Sequence, residues 1–157
     1  MGNSFIEGVT KFHETYGAAI GLKLEKGKEE EFLNCLKLRI SLIQEETDEF
    51  GRAGDAFIEA HKRGDAETQK KQAMGMIDGI TDLLYVVVGA AVAFGIDLET
   101  AFERVQESNM SKLGADGRPI YREDGKVLKG PGFHEPKLSD LVREENGEVC
   151  FTGCHAS

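Results

Sequence analysis

A chain of 157 residues is most simply one domain, long enough to bury a core without disulfides or a structural metal. Its formal charge of −9 argues against nucleic acid as a partner, because duplex binding rests on clustered Lys and Arg that neutralise phosphates. A charged small molecule accompanied by a cation stays open. The three cysteines are an odd number, Cys35 in a helical segment and Cys150 and Cys154 in the tail, and read as thiols in a reducing compartment. No secretory signal is readable near Met1, and the apolar run Leu83 to Phe94 is too short to span a bilayer, so a soluble, cytoplasmic protein with no membrane partner is expected.

The elements follow from spacing. Ser4 and Glu7 form a capping-box pattern, after which Phe5, Val9, Phe12 and Tyr16 repeat at helical intervals up to Gly17. Leu33, Leu36, Ile40, Ile43 and Phe50 predict a second helix over about 29–50. Gly51 and Gly54 then loosen the chain before a short helical piece, Ala56 to Lys62, that stops at Gly64. Asp65 caps a helix over about 67–94 whose second half is apolar all round and must therefore be covered on every side. Asp97 caps another, from Leu98 to about Met110. From Lys112 onward Gly, Pro and charge prevail, with a small hairpin expected over Tyr121 to Leu128 around Asp124-Gly125, and residues 142–157 read as a weakly ordered tail. The expected architecture is an all-α helical bundle: a single domain over 1–157 with a helical core at about 4–111, a basic loop segment at 112–141 and the tail.

The chemistry lies in acids. Glu45, Glu46, Asp48 and Glu49 stand where the second helix would stay apolar, and Asp78 and Asp82 interrupt the greasiest helix of the chain. Residues three or four apart share a helix face, so Glu46 with Glu49 and Asp78 with Asp82 make two claws expected to face the interior. Carboxylates gathered out of water repel one another unless a cation neutralises them, and oxygen-only ligands favour Mg²⁺, with Mn²⁺ possible, over zinc. An acidic run is ordinarily a solvated face. What tips the balance is the apolar company of Asp78 and Asp82, among Met76, Ile77, Ile80, Leu83 and Leu84.

Several strings fit one pattern: Phe12-His13-x-x-Tyr16-Gly17, Leu38-Arg39-x-x-Leu42-Ile43-x-Glu45-Glu46-x-x-Glu49, Asp78-Gly79-x-x-Asp82-Leu83-x-Tyr85, Ser108-Asn109-Met110-x-Lys112 and Gly125-Lys126-Val127-Leu128-Lys129-Gly130. Over roughly residues 5–140 the chain resembles the MazG-like, phosphoribosyl-ATP pyrophosphohydrolase-like superfamily of all-α nucleoside triphosphate pyrophosphatases. It departs from that pattern at Gly79, where a glutamate usually stands three residues before Asp82, the acid being displaced to Asp78.

The resemblance implies hydrolysis of a nucleoside triphosphate between its α- and β-phosphates, with Glu46, Glu49, Asp78 and Asp82 as metal ligands. Glu45, together with Glu46, is implicated in catalysis, Glu45 as an outer-shell ligand or as a general base that orients the water. His13, Arg39, Tyr85, Asn109, Lys112, Lys126 and Lys129 are implied substrate contacts. Locally, Lys112, Arg118, Arg122, Lys126 and Lys129 outnumber Asp116, Glu123 and Asp124, so the segment after 111 is expected to favour phosphate. That added segment disfavours the phosphoribosyl-ATP substrate of the histidine branch.

Blander readings stand beside these. His13 is ordinarily a packed or capping residue, Tyr85 a packing one, and Cys150-x-x-x-Cys154-His155 lacks a fourth metal ligand. A ferritin-like carboxylate bundle wants Glu-x-x-His pairs, which the chain does not supply. The alternative to an enzyme is a non-catalytic helical dimerisation or nucleotide-binding module. A homodimer or homotetramer is expected in either case, because a helix apolar on all sides needs more cover than one chain gives.

Overall fold

The computed structural model describes residues 4–146 and 148–151 and is all-α apart from one small hairpin. Its helices are α1 (Ser4–Tyr16), α2 (Glu29–Lys62), α3 (Ala66–Phe94) and α4 (Leu98–Met110), followed by strands β1 (Val142–Glu145) and β2 (Glu148–Phe151). The chain folds as two compact units, Met1–Gly95 and Ile96–Ser157.

In the first unit, α2 and α3 lie antiparallel. Phe50 meets Gly79, Ala53 meets Gly75, Arg39 meets Gly89, and the rings of Phe32 and Phe94 sit 4.9 Å apart, so residues rising along α2 meet residues falling along α3. The buried side chains are mostly small, among them Ala53, Ala60, Ala91 and Ala93, which lets the helices approach closely.

The break expected after Phe50 is absent: α2 runs without interruption through Gly51 and Gly54 to Lys62. A glycine inside a helix costs about 1 kcal/mol relative to alanine, but Ala53 and Ala60 are buried in this stretch and packing on α3 holds the helix together. Gly64, at φ 68°, turns the chain. Asp65 caps α3 as expected, accepting a hydrogen bond from Thr68 N at 3.0 Å, and Gly95 ends it in the left-handed region. After α1 the link turns back on α3, where Gly21 and Leu22 donate backbone bonds to the carbonyls of Val92 and Ala93, groups a helix end leaves without partners.

Two apolar stripes came out differently. α1 turns Val9 and His13 inward and leaves Phe5, Phe12 and Tyr16 exposed, so its packed face is offset from the expected one. Ser4, whose side chain lies outside those described, leaves the capping box open. α3 is not covered on every side, since Met74, Ile77, Ile80, Leu84 and Val87 stay exposed within the unit. As one continuous helix of 29 residues α3 meets the length and composition of a membrane span, although its Leu83–Phe94 run by itself does not; here it packs on α2 through glycines and carries two Asp.

In the second unit Asp97 caps α4 through Thr100, accepting from its backbone N at 3.0 Å and its hydroxyl at 2.8 Å. Arg104 donates to Lys137 O at 2.7 Å and pairs with Asp140, while buried Ser108 donates to His134 O at 2.7 Å. The small hairpin expected at 121–128 forms, with the bridge Tyr121–Val127 flanked by backbone bonds from Arg122 N to Lys126 O at 2.8 Å and from Leu128 N to Ile120 O at 2.7 Å, around Gly125 at φ 85°. Within the stretch expected to be a weakly ordered tail, residues 142–146 and 148–151 are described, and there β1 and β2 form an antiparallel pair with Val142 opposite Phe151 and Glu145 opposite Glu148. Asn146, at φ 58°, follows β1 in the left-handed region. Cys154 and His155 lie outside the described residues.

Candidate metal and phosphate site

The antiparallel register places Glu46 of α2 opposite the Asp78–Asp82 turn of α3, one turn along from the contact between Phe50 and Gly79. The effect is visible on Glu46, which is half-buried. Loss of water first, then Asp82, Glu49, Glu45 and Asp78, raise its carboxyl above the ordinary glutamate value. The two claws expected from the sequence therefore do act on one another across the helix pair.

They do not face a closed interior. Glu45, Glu49, Asp78 and Asp82 are exposed, because the helices touch at neighbouring positions, where Phe50 and Ala53 pack on Gly79 and Gly75. Among the described residues no three His, Cys, Asp or Glu side chains converge as a closed metal site. The donor set still fits a hard divalent cation: all its ligands are carboxylate oxygens, and the repulsion felt by Glu46 is of the kind such an ion relieves. Asp48 stays outside the group, accepting a bond from Gln44 Nε2 at 2.7 Å on the solvent side.

Gly79 is a packing position. A Cβ built there would sit 3.1 Å from the backbone N and Cα of Phe50, so a side chain requires that backbone to give by a few tenths of an ångström. The displacement of the acid to Asp78 thus coincides with a close helix contact.

Two turns before Glu46 on α2, Arg39 is buried at 9% exposure and its Nε has no hydrogen-bond partner. His13 lies beside it, 2% exposed, its Nδ1 donating to Ala19 O at 2.7 Å, which leaves Nε2 as the acceptor in the neutral ring. Arg39 Nη1 and His13 Nε2 both come within 3.4 Å of where a Cβ on Gly89 would be. Burial, offset in part by the Ala19 bond, and the positive charge of Arg39 lower the His13 pKa below the ordinary histidine value. Any contact of substrate with His13 would have to reach a ring sealed on its solvent side. Tyr85, one turn after Asp82, is half-exposed and meets Phe12.

The remaining phosphate candidates belong to the second unit. Lys112 Nζ donates to Asn109 Oδ1 at 2.6 Å, and the Lys112 carbonyl accepts from Gly130 N at 3.0 Å, which draws Lys112 alongside Lys129. Lys129 pairs with Glu135 at 2.9 Å and lies 4.0 Å over the Phe133 ring. Lys126 is exposed at the Gly125 turn. Arg122 is occupied by Asp124. Gly130 is fixed as glycine, since a Cβ there would fall 1.9 Å from Leu113 O.

A long antiparallel helix pair bearing carboxylates on both helices, with glycines at its tightest contacts, defines the first unit as an all-α bundle. The model of the phosphoribosyl-ATP pyrophosphohydrolase family matches residues 9–109, and the chain belongs to that family, within the MazG-like all-α nucleoside triphosphate pyrophosphatase superfamily. The match ends before the basic segment at 112–141. No curated protein matches the chain.

Proposed function

We propose that the protein is a divalent-metal-dependent pyrophosphohydrolase that cleaves a nucleoside triphosphate between its α- and β-phosphates, releasing a nucleoside monophosphate and pyrophosphate. The observation that carries this reading is the half-buried Glu46 standing in the field of four other carboxylates from both helices. Glu46 and Glu49 on α2 with Asp78 and Asp82 on α3 would hold Mg²⁺ or Mn²⁺. Such an ion supplies electrostatic stabilisation of the phosphoryl oxygens and a more acidic water. Glu45 Oε takes a proton from the water as its oxygen bonds to the α-phosphorus and the bond to the bridging oxygen breaks. Asn109, Lys112, Lys126 and Lys129 of the second unit are the cationic and amide contacts proposed for phosphate, of which Asn109, Lys126 and Lys129 are exposed.

The family name points to phosphoribosyl-ATP, a nucleoside triphosphate with an added sugar phosphate, and it belongs in the substrate panel beside ATP, dATP, dCTP and dUTP. Full-length protein with Mg²⁺ should release pyrophosphate from at least one of these. Release of orthophosphate and a diphosphate alone overturns α–β cleavage. The exposed row Met74, Ile77, Ile80, Leu84 and Val87 on α3 supports a homodimer or homotetramer, which sedimentation at micromolar concentration tests.

A further inference from the structure

In the second unit both backbone polar groups of His134 are held by serine hydroxyls from the C-terminal end of α4. Ser108 Oγ donates to His134 O at 2.7 Å, and Ser111 Oγ accepts from His134 N at 3.1 Å while donating to Ser108 O at 2.7 Å. A serine on a helix can satisfy its hydroxyl in water or on the carbonyl four residues earlier. Ser108, 4% exposed, instead reaches a carbonyl 26 residues further along the chain. The same stretch is tied down at its other end, where Gly130 N donates to Lys112 O at 3.0 Å and a Cβ on Gly130 would fall 1.9 Å from Leu113 O. Phe133 N closes the turn on Gly130 O at 3.1 Å.

Residues 130–134 are thus a turn anchored twice on the end of α4, and charge stands on both of its flanks. Lys129 precedes the first anchor and Glu135 follows the second; the two pair at 2.9 Å, and Lys129 Nζ lies 4.0 Å over the Phe133 ring. The first anchor is the Lys112 carbonyl, so the turn carries Lys129 to a lysine that α4 already presents with Asn109. Ammonium groups brought together repel, and long side chains lose rotamer freedom when they are fixed, so two adjoining lysines need a firm base and suit a ligand with linked anionic groups. Glu135 is exposed, and a multiply charged anion at Lys129 would take its place. We propose that Ser108 is a positioning residue, which holds the turn at 130–134 on α4 so that Lys129 stands beside Lys112 as a clamp on the diphosphate end of the substrate. The proposal rests on the hydrolase reading for its ligand, and its test does not depend on turnover.

Calorimetry of the full chain with Mg²⁺ and inorganic pyrophosphate reads the clamp directly. Ser108→Ala leaves His134 O without its donor and should weaken binding by about tenfold, the usual scale for a buried acceptor left unmatched. Lys129→Met, which keeps the stem over Phe133 and removes the charge, should weaken it by about tenfold as well. Because Ser108 acts through Lys129, adding Ser108→Ala to Lys129→Met should weaken binding no further. Ser111→Ala, at a half-buried position, removes the other serine grip and should behave as Ser108→Ala does in both backgrounds. It carries the same test if Ser108→Ala does not fold. Wild-type affinity in the serine variant or in Lys129→Met overturns the proposal, and so does a wild type that does not bind pyrophosphate. Losses that multiply in the double variant also overturn it, since the serine then acts on the fold alone. A protein that binds pyrophosphate through Ser108 and Lys129 yet releases none from any triphosphate sinks the catalytic reading and leaves the clamp standing. Turnover with pyrophosphate affinity indifferent to both residues does the reverse.

Discussion

Arg39 and Glu46 lie seven residues, about 10 Å, apart on one helix and share the row that turns toward α3, yet they meet opposite conditions there. Glu46 faces Asp78 and Asp82 and is surrounded by its own sign, partly open to water. Arg39 faces Gly89, is sealed in beside His13, and has an Nε with no acceptor. What decides each case is the opposing residue on α3. Where α3 offers carboxylates the helices leave a charged groove that a cation would complete; where it offers a glycine they close over a guanidinium. The two charges lie too far apart along the helix to satisfy one another.

Removing acids tests the first half of this contrast. Glu46→Gln and Asp82→Asn should each lower pyrophosphate release by about a hundredfold or more, the scale of losing a group that holds transition-state charge, while the unfolding midpoint holds or rises as repulsion is relieved. If both variants stay fully active in a pyrophosphate-release assay, the carboxylate site is wrong. Next in size is Gly79→Glu, which places an acid at the family's usual spacing. Its Cβ meets Phe50 backbone, so it should cost about 3 kcal/mol in denaturant unfolding and restore no Mg²⁺ affinity, whereas Asp78→Asn should unfold like the wild type. A stable Gly79→Glu protein with tighter Mg²⁺ binding would show that the helices part easily.

The sealed half makes smaller predictions. Arg39→Met keeps the aliphatic stem and removes the orphan donor, so it should gain about 1 to 3 kcal/mol of stability. A loss of the same size in denaturant unfolding would mean that the guanidinium has a partner in solution. His13 supplies the pH dependence. Its pKa is lower in the folded state than in the unfolded chain, so the unfolded chain binds the extra proton as the pH falls through about 6.5. Stability should then decline below that point until the folded-state value is passed. His13→Gln should flatten this slope in unfolding midpoints taken between pH 7 and 5, and an unchanged slope would show that the ring is not held neutral.

Local signals carried much of this molecule. Asp65 and Asp97 read as caps and act as caps, because a carboxylate accepting a nearby backbone N–H needs only a few residues to define it. Glu46, Asp78 and Asp82 were legible as a set because spacings of three and four residues fix a helix face, and across the helix pair they do influence one another. Spacing could not tell which part of that face the partner helix would cover. The acids expected inside are mostly exposed, while His13 went in beside Val9 where Phe12 and Tyr16 were expected.

The sequence by itself determined the all-α class, the helix caps and the identity of the acidic residues, since each depends on chemistry within about a turn of chain. Only the tertiary structure decided that α2 would pass through Gly51 and Gly54 unbroken, that Gly79 would be a seat for Phe50, and that Arg39 would be buried without a partner for its Nε. Those outcomes depend on how closely two helices approach, a distance set by residues some 20 to 50 positions apart in the chain, whose meeting no local pattern records.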